Sequence, residues 1–203
     1  MKRQTFIFIG ASGSGKGTQV KLLMEFLKAK DPETPIFYLQ TGQSLREFAK
    51  SESFAASIAR EAMAKGERLP DFLAMWLWSD IFVKNLKGEE RLIVDGSPRS
   101  IGEAKNLDFA MKFFKREQPV VIHLDVSQKW SEEHLLARAE GRSDDNIESI
   151  RKRLSWYERD VVPAINKYRR DRDYDFIEID GERSVEEVHQ DLLFRLYGND
   201  TEF

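Results

Sequence analysis

Short, largely apolar runs alternate along this chain with longer stretches in which Lys, Glu, Ala and Leu recur at helical spacing. The apolar runs cover residues 5–9, 35–39, 91–95, 119–125 and 175–179. Several are hydrophobic without a break, as strands covered on both faces are. Each is followed by a helical pattern. That alternation predicts βαβ units, and so an α/β fold with a five-stranded parallel sheet and helices on both faces.

One interval breaks the rhythm. Residues 54–86 carry two helical patterns and no strand, punctuated by Gly66 and Pro70. The second and third strands lie about 50 residues apart, more than a simple crossover needs, which predicts a small helical insert. A second helical region runs from 146 to about 172, where Pro163 is expected to kink it or open a new helix. Ser184-x-x-Glu187 and Asp145-x-x-Glu148 have the capping-box form of helix starts. The run 72–78 reads as a core helix, and Trp156-Tyr157 as packing.

The most specific signal is Gly10-Ala11-Ser12-Gly13-Ser14-Gly15-Lys16-Gly17-Thr18, which fits G-x-x-x-x-G-K directly after a strand and before a helix. Its glycines let the backbone curl so that successive N–H groups face an anion. The helix start adds partial positive charge. Lys16 is placed to reach the β- and γ-phosphates. The next position, where a hydroxyl commonly meets the metal, is Gly17, with Thr18 following. Asp95 ends a parallel strand, a place suited to holding magnesium-bound water. The chain has no N-K-x-D guanine motif and no long apolar strand ending in Asp-Glu.

Composition narrows the field. The 203 residues suit one domain with a sizeable core. Against 35 acidic residues stand 32 basic ones, a net charge of -3, so no global field favours nucleic acid or an anionic membrane. The absence of cysteine excludes disulfides, thiolate metal sites and thiol catalysis. No apolar run is long enough to cross a bilayer, and the first residues do not read as a signal peptide. The expectation is a cytoplasmic globular protein, a monomer that meets neither nucleic acid nor membrane.

Together the motifs resemble those of the adenylate kinase family of nucleoside monophosphate kinases, over nearly the whole chain. The resemblance rests on Gly10-x4-Gly15-Lys16-Gly17-Thr18-Gln19, Thr41-Gly42-x-x-Leu45-Arg46, Gly66-x-x-Leu69-Pro70-Asp71, Asp95-Gly96-x-Pro98-Arg99, Gly141-Arg142-x-Asp144-Asp145 and Arg153. It implies a single P-loop kinase domain with its core at about 1–40, 88–137 and 146–203. A helical segment at about 41–70 would bind the monophosphate, and a short lid loop would span about 138–145. Ser12, Gly13, Ser14, Gly15, Lys16, Gly17 and Thr18 would hold ATP. Thr41, Gly42, Arg46, Leu69, Gly96, Arg99 and Glu103 would form the monophosphate site. Lys16, Arg99, Arg138, Arg142 and Arg153 would act on the transferring phosphoryl group. Asp144 and Asp145 would organise the lid arginines, and Asp95 would hold Mg2+ through water. His134 is placed to stack on the donor base, and Asp180-Gly181-x-Arg183 resembles the loop that touches donor adenine. An arginine-rich site suits phosphoryl transfer, where catalysis is positioning and charge neutralisation.

The chain also departs from the family. Arg138 and Arg142 are only four residues apart, which implies almost no lid. Ser97 stands where Phe is usual, and Glu103 where adenylate kinases usually carry Gln. An amide can donate to adenine N1 and accept from the N6 amino group, whereas an ionised carboxylate only accepts. Ser100-x-x-Glu103 also has the capping-box form. AMP is the first expectation for the acceptor. A UMP/CMP-directed, GMP-directed or broad-specificity kinase and a non-catalytic nucleotide-binding module remain open beside it.

Overall fold

The computed structural model describes residues 4–137 and 146–198. Among these, five strands form one parallel sheet in the order β2-β3-β1-β4-β5. They are β1 (Thr5–Gly10), β2 (Ile36–Gln40), β3 (Arg91–Asp95), β4 (Val120–Asp125) and β5 (Asp175–Asp180). Each expected strand is present; β3 keeps its expected range, and the others shift by a residue at one end or both. Pro35 and Pro119 stay outside because proline has no N–H to give a neighbouring strand.

The sheet sorts its side chains by alternation. Phe6 and Phe8 of β1 point to one face, where they meet α1 (Lys16–Lys30) and α9 (Val185–Tyr197). Ile7 and Ile9 point to the other, packing with α4 (Asp71–Asn85), α5 (Ile101–Phe113), α7 (Ile147–Trp156) and α8 (Val162–Arg170). Helices therefore cover both faces, as the unbroken apolar strands require. α6 (Gln128–Ala137) follows β4 and packs on α7.

The insert between β2 and β3 consists of α2 (Thr41–Ala49), α3 (Phe54–Ala64) and α4. Leu45, Ala49, Ala59, Leu69 and Leu73 give it a small core of its own. The run 72–78 only partly joins the core: Leu73, Ala74 and Trp78 are buried, but Phe72 and Trp76 face outward. A run that is apolar all round the helix does not say which side turns inward.

The helix ends bear out the Ser184 start and the new helix at Pro163, and they move the start of α7. α9 has the full capping box of Ser184 and Glu187. Asp145 lies outside the described residues, and Asn146 caps α7 by accepting from Ser149 N at 2.9 Å. Ahead of Pro163 a π-helical turn, Tyr157–Val161, joins α7 to α8. Proline has no N–H to close the regular ladder, and the wider turn fits that loss.

At the far end of the sheet from β-strand C-termini lies a buried ion pair. Arg116 donates to the Glu90 carbonyl at 2.6 Å and to its carboxylate at 2.5 Å. That carboxylate also accepts from the N–H groups of Lys87, Gly88 and Glu89. Burial works to raise the Glu90 pKa, but these N–H groups and Arg116 outweigh it and hold it below the ordinary value. A depressed carboxyl contributes stability above its unfolded pKa of about 4.3, which is lost as pH falls through the lower folded value. Glu90→Gln is expected to cost about 3 kcal/mol near neutral pH, because Arg116 stays buried without its counter-charge. Urea unfolding should show that difference shrinking in acid; a constant difference would contradict the assignment.

Candidate active site

The C-terminal ends of β1, β2 and β3 open into a cavity of about 570 Å3. The loop after β1 forms one wall. Gly13 and Gly15 hold left-handed backbone at φ +86° and +84°. A Cβ on Gly13 would stand 2.8 Å from the Ser131 carbonyl oxygen, so this position has no room for a side chain. Ser12, Gly13, Ser14, Gly15, Lys16, Gly17 and Thr18 all line the cavity. The Lys16 ammonium donates to the Gly10 and Ala11 carbonyls at 2.8 and 2.7 Å. Behind the loop, Gln19 donates to the Val185 carbonyl at 2.9 Å and so ties α1 to α9.

Gly42, Arg46, Leu69, Gly96, Arg99 and Arg153 line the same cavity. Gly42 lets two guanidinium groups approach. A Cβ there would lie 3.3 Å from Arg99 Nη2 and 3.5 Å from Arg46 Nη1. Arg99 donates from Nε to the Gly96 carbonyl at 2.8 Å, and its guanidinium lies 6.0 Å from the centre of the Trp156 ring. Burial lowers the Arg99 pKa; Glu103 and Asp95 act against that shift, while Arg68 and Arg153 add to it.

Asp95 ends β3 in the cavity wall. Tyr38 donates to its Oδ2 at 2.9 Å. Burial, with Asp95 beside it, pushes the Tyr38 pKa well above its ordinary value, so the phenol stays a donor.

Over this geometry, the adenylate kinase family model matches residues 8–173. The chain belongs to the adenylate kinase family. It is 36% identical over 191 residues to an adenylate kinase of Azobacteroides pseudotrichonymphae, covering 92% of this chain and 94% of that protein. It is 34% identical over 195 residues to an adenylate kinase of Leptospira biflexa, covering 95% and 98%. UMP-CMP kinase 1 of Oryza sativa subsp. japonica is 30% identical over 199 residues, covering 94% of this chain and 73% of that protein. The protein is a nucleoside monophosphate kinase.

Not every residue expected from the adenylate kinase resemblance lines the cavity. Thr41 and Glu103 are buried outside its lining, at 0% and 1% exposure. Their side chains are taken up by Ser97: its hydroxyl lies 2.8 Å from Thr41 Oγ1 and donates to Glu103 Oε1 at 2.7 Å. Glu103 forms half of the capping box, its N–H donating to Ser100 Oγ, while its carboxylate accepts from Arg99 N instead of Ser100 N. Arg183 also stands outside the lining, donating to the Asp180 carbonyl and to Asp191. His134 lines the cavity, but one of its ring faces stacks on Trp130 at 4.1 Å, and Nδ1 meets the Trp130 carbonyl. Arg138, Arg142, Asp144 and Asp145 lie outside the described residues.

Other cavity residues were not legible. Trp156 and Tyr157, read as packing, do pack with the core and also line the wall. So does Arg68, which pairs with Asp71 and with Asp160 at 2.9 Å. Arg68 sits at a variable position of Gly66-x-x-Leu69, so only its charge marked it. This segment is seated on α7: Trp156 Nε1 donates to the Gly66 carbonyl at 3.2 Å. A Cβ on Gly66 would stand 2.7 Å from Ser149 backbone.

Proposed function

We propose that the protein catalyses the reversible, Mg-dependent transfer of the γ-phosphoryl group of ATP to AMP, giving two ADP. The observation that carries this reading is one cavity holding both a phosphate-binding loop and Arg46, Arg99 and Arg153. Two polyanions meeting end to end need that distribution of charge. AMP stands first because the relatives at 34–36% identity over nearly the full chain are adenylate kinases.

In this reading the loop N–H groups and the start of α1 bind the donor phosphates. Lys16 leaves the Gly10 and Ala11 carbonyls for the phosphate oxygens. Arg46 and Arg99, on segment 41–70 and after β3, grip the acceptor phosphate. Arg153, with Arg138 and Arg142, neutralises charge on the transferring group, and Asp144 and Asp145 organise those arginines. The acceptor oxygen is already ionised, so no side chain needs to remove a proton.

The donor set around Asp95 fits Mg2+. Among the described residues no group of three or more His, Asp or Glu could cage a metal. Mg2+ instead favours one or two carboxylates, several waters and the substrate's phosphates. Asp95, with Oδ2 fixed by Tyr38, would hold the ion through water. Bound there, Mg2+ supplies charge neutralisation across the phosphates.

A coupled assay with ATP and each of AMP, GMP, CMP and UMP tests the proposal. AMP is expected to be the preferred acceptor. Equal rates for all would remove the adenine preference and favour a broad-specificity kinase, an alternative kept in view by the UMP-CMP kinase relative. Two adenosines joined by five phosphates should raise the melting temperature by occupying both subsites.

A further inference from the structure

The acceptor-side network under the cavity floor has a consequence for catalysis. Glu103 has one carboxylate and three donors. Oε1 accepts from Ser97 Oγ at 2.7 Å and Trp78 Nε1 at 3.2 Å, and Oε2 accepts from Arg99 N at 2.6 Å. These donors come from the loop after β3 and from α4, so the carboxylate clamps loop to insert. The loop is the one that carries Arg99 into the cavity. Thr41, at the start of α2, joins the same chain through Ser97.

We infer that Glu103 is a positioning residue: it fixes the 96–100 loop and thereby the Arg99 guanidinium, and it does not read the acceptor base. The inference rests on the proposed acceptor site, and it assigns the base preference to groups other than the Thr41, Ser97 and Glu103 side chains. Burial raises the Glu103 pKa, while the hydrogen bonds from Ser97 and Arg99 N hold it down. All three contacts are donors, which matches the ionised carboxylate as acceptor.

Glu103→Gln separates the two roles. A carboxamide presents one acceptor oxygen and one NH2 group. If the oxygen serves Arg99 N, the NH2 faces the Trp78 N–H; if it serves Trp78 and Ser97, the NH2 faces Arg99 N. Either way one donor loses its acceptor, and Arg99 loses the adjacent negative charge. A base-reading residue would behave differently. Glutamine there could pair with both adenine N1 and N6 and would shift selectivity toward AMP over GMP.

The measurement is kcat and KM for AMP, GMP, CMP and UMP, with KM for ATP as control. The expected result is a loss of acceptor kcat/KM of about tenfold, the scale of one disrupted buried hydrogen bond, shared by all acceptors the enzyme uses. The AMP-to-GMP ratio and the ATP KM should stay within about twofold of wild type. A changed ratio between acceptors overturns the inference. So does unchanged acceptor kinetics in a folded variant. If Glu103→Gln fails to fold, Ser97→Ala is read in the same way: a smaller, acceptor-independent rise in KM supports positioning, and a changed ratio opposes it. Wild-type enzyme inactive on all four acceptors would instead fail the proposed function, a result visible before any variant is made.

Discussion

Replacing Lys16 by methionine is expected to lower kcat by about 10³-fold while the protein stays folded, the scale of losing one preorganised charge at a developing anionic centre. The ammonium's hydrogen bonds to the Gly10 and Ala11 carbonyls lie within its own loop. These bonds, with a longer one to Ser14 Oγ at 3.4 Å, reach no more than six residues along the chain. Methionine keeps the length and apolar stem of the side chain, and the loop retains the Ser14 N to Ala11 carbonyl bond at 3.2 Å. Stability is expected to change little. Activity changes greatly, because the phosphate oxygens would face loop N–H groups without the one side-chain cation that the loop carries. KM for ATP should rise less than kcat falls, since the amides continue to bind ground-state phosphates. A cooperative melt at the wild-type temperature with kcat lowered is the expected pair of results. A folded variant with full activity would overturn the mechanism.

The sheet and the phosphate loop were legible because their signals are local. An unbroken apolar run predicts a strand buried on both faces, and a loop that must curl around an anion needs glycine at fixed places. Gly13 and Gly15 show why: both adopt left-handed backbone, and Gly13 also abuts the Ser131 carbonyl. Glu103 was only half legible. Its spacing from Ser100 marked a helix start. Its burial depends on Trp78, which lies 25 residues away on α4 and reaches the carboxylate only through packing between helices. The same limit hid the second role of Trp156, which packs on the core as read. Its aromatic ring looks like core in sequence, and only the docking of Gly66 onto α7 brings it to the cavity wall beside Arg99. Phe72 and Trp76 show the converse, because hydrophobicity alone did not tell which flank of α4 the sheet would cover.

Arg99→Ala is expected to lower acceptor kcat/KM by about 10²-fold, with KM for ATP nearly unchanged. Three features make this arginine more than a surface cation. Its Nε is held on the Gly96 carbonyl, so the fork is aimed before substrate arrives. Gly42 leaves room for its Nη2, which lies where any larger residue's Cβ would press at 3.3 Å. Burial depresses its pKa, a sign that the charge is poorly solvated, and a poorly solvated guanidinium gains most from an incoming phosphate. Arg99→Lys should recover only part of the loss, because an ammonium lacks the planar fork and cannot use Gly96 and two phosphate oxygens in one geometry. This also orders the two acceptor-side variants. Removing the guanidinium must cost more than disturbing its support, so Arg99→Ala should fall below Glu103→Gln for every acceptor. If Glu103→Gln proved the more damaging of two folded variants, Glu103 would have a role beyond holding Arg99. If Arg99→Ala raised KM for ATP and left the acceptor KM alone, the two ends of the cavity would have to be exchanged.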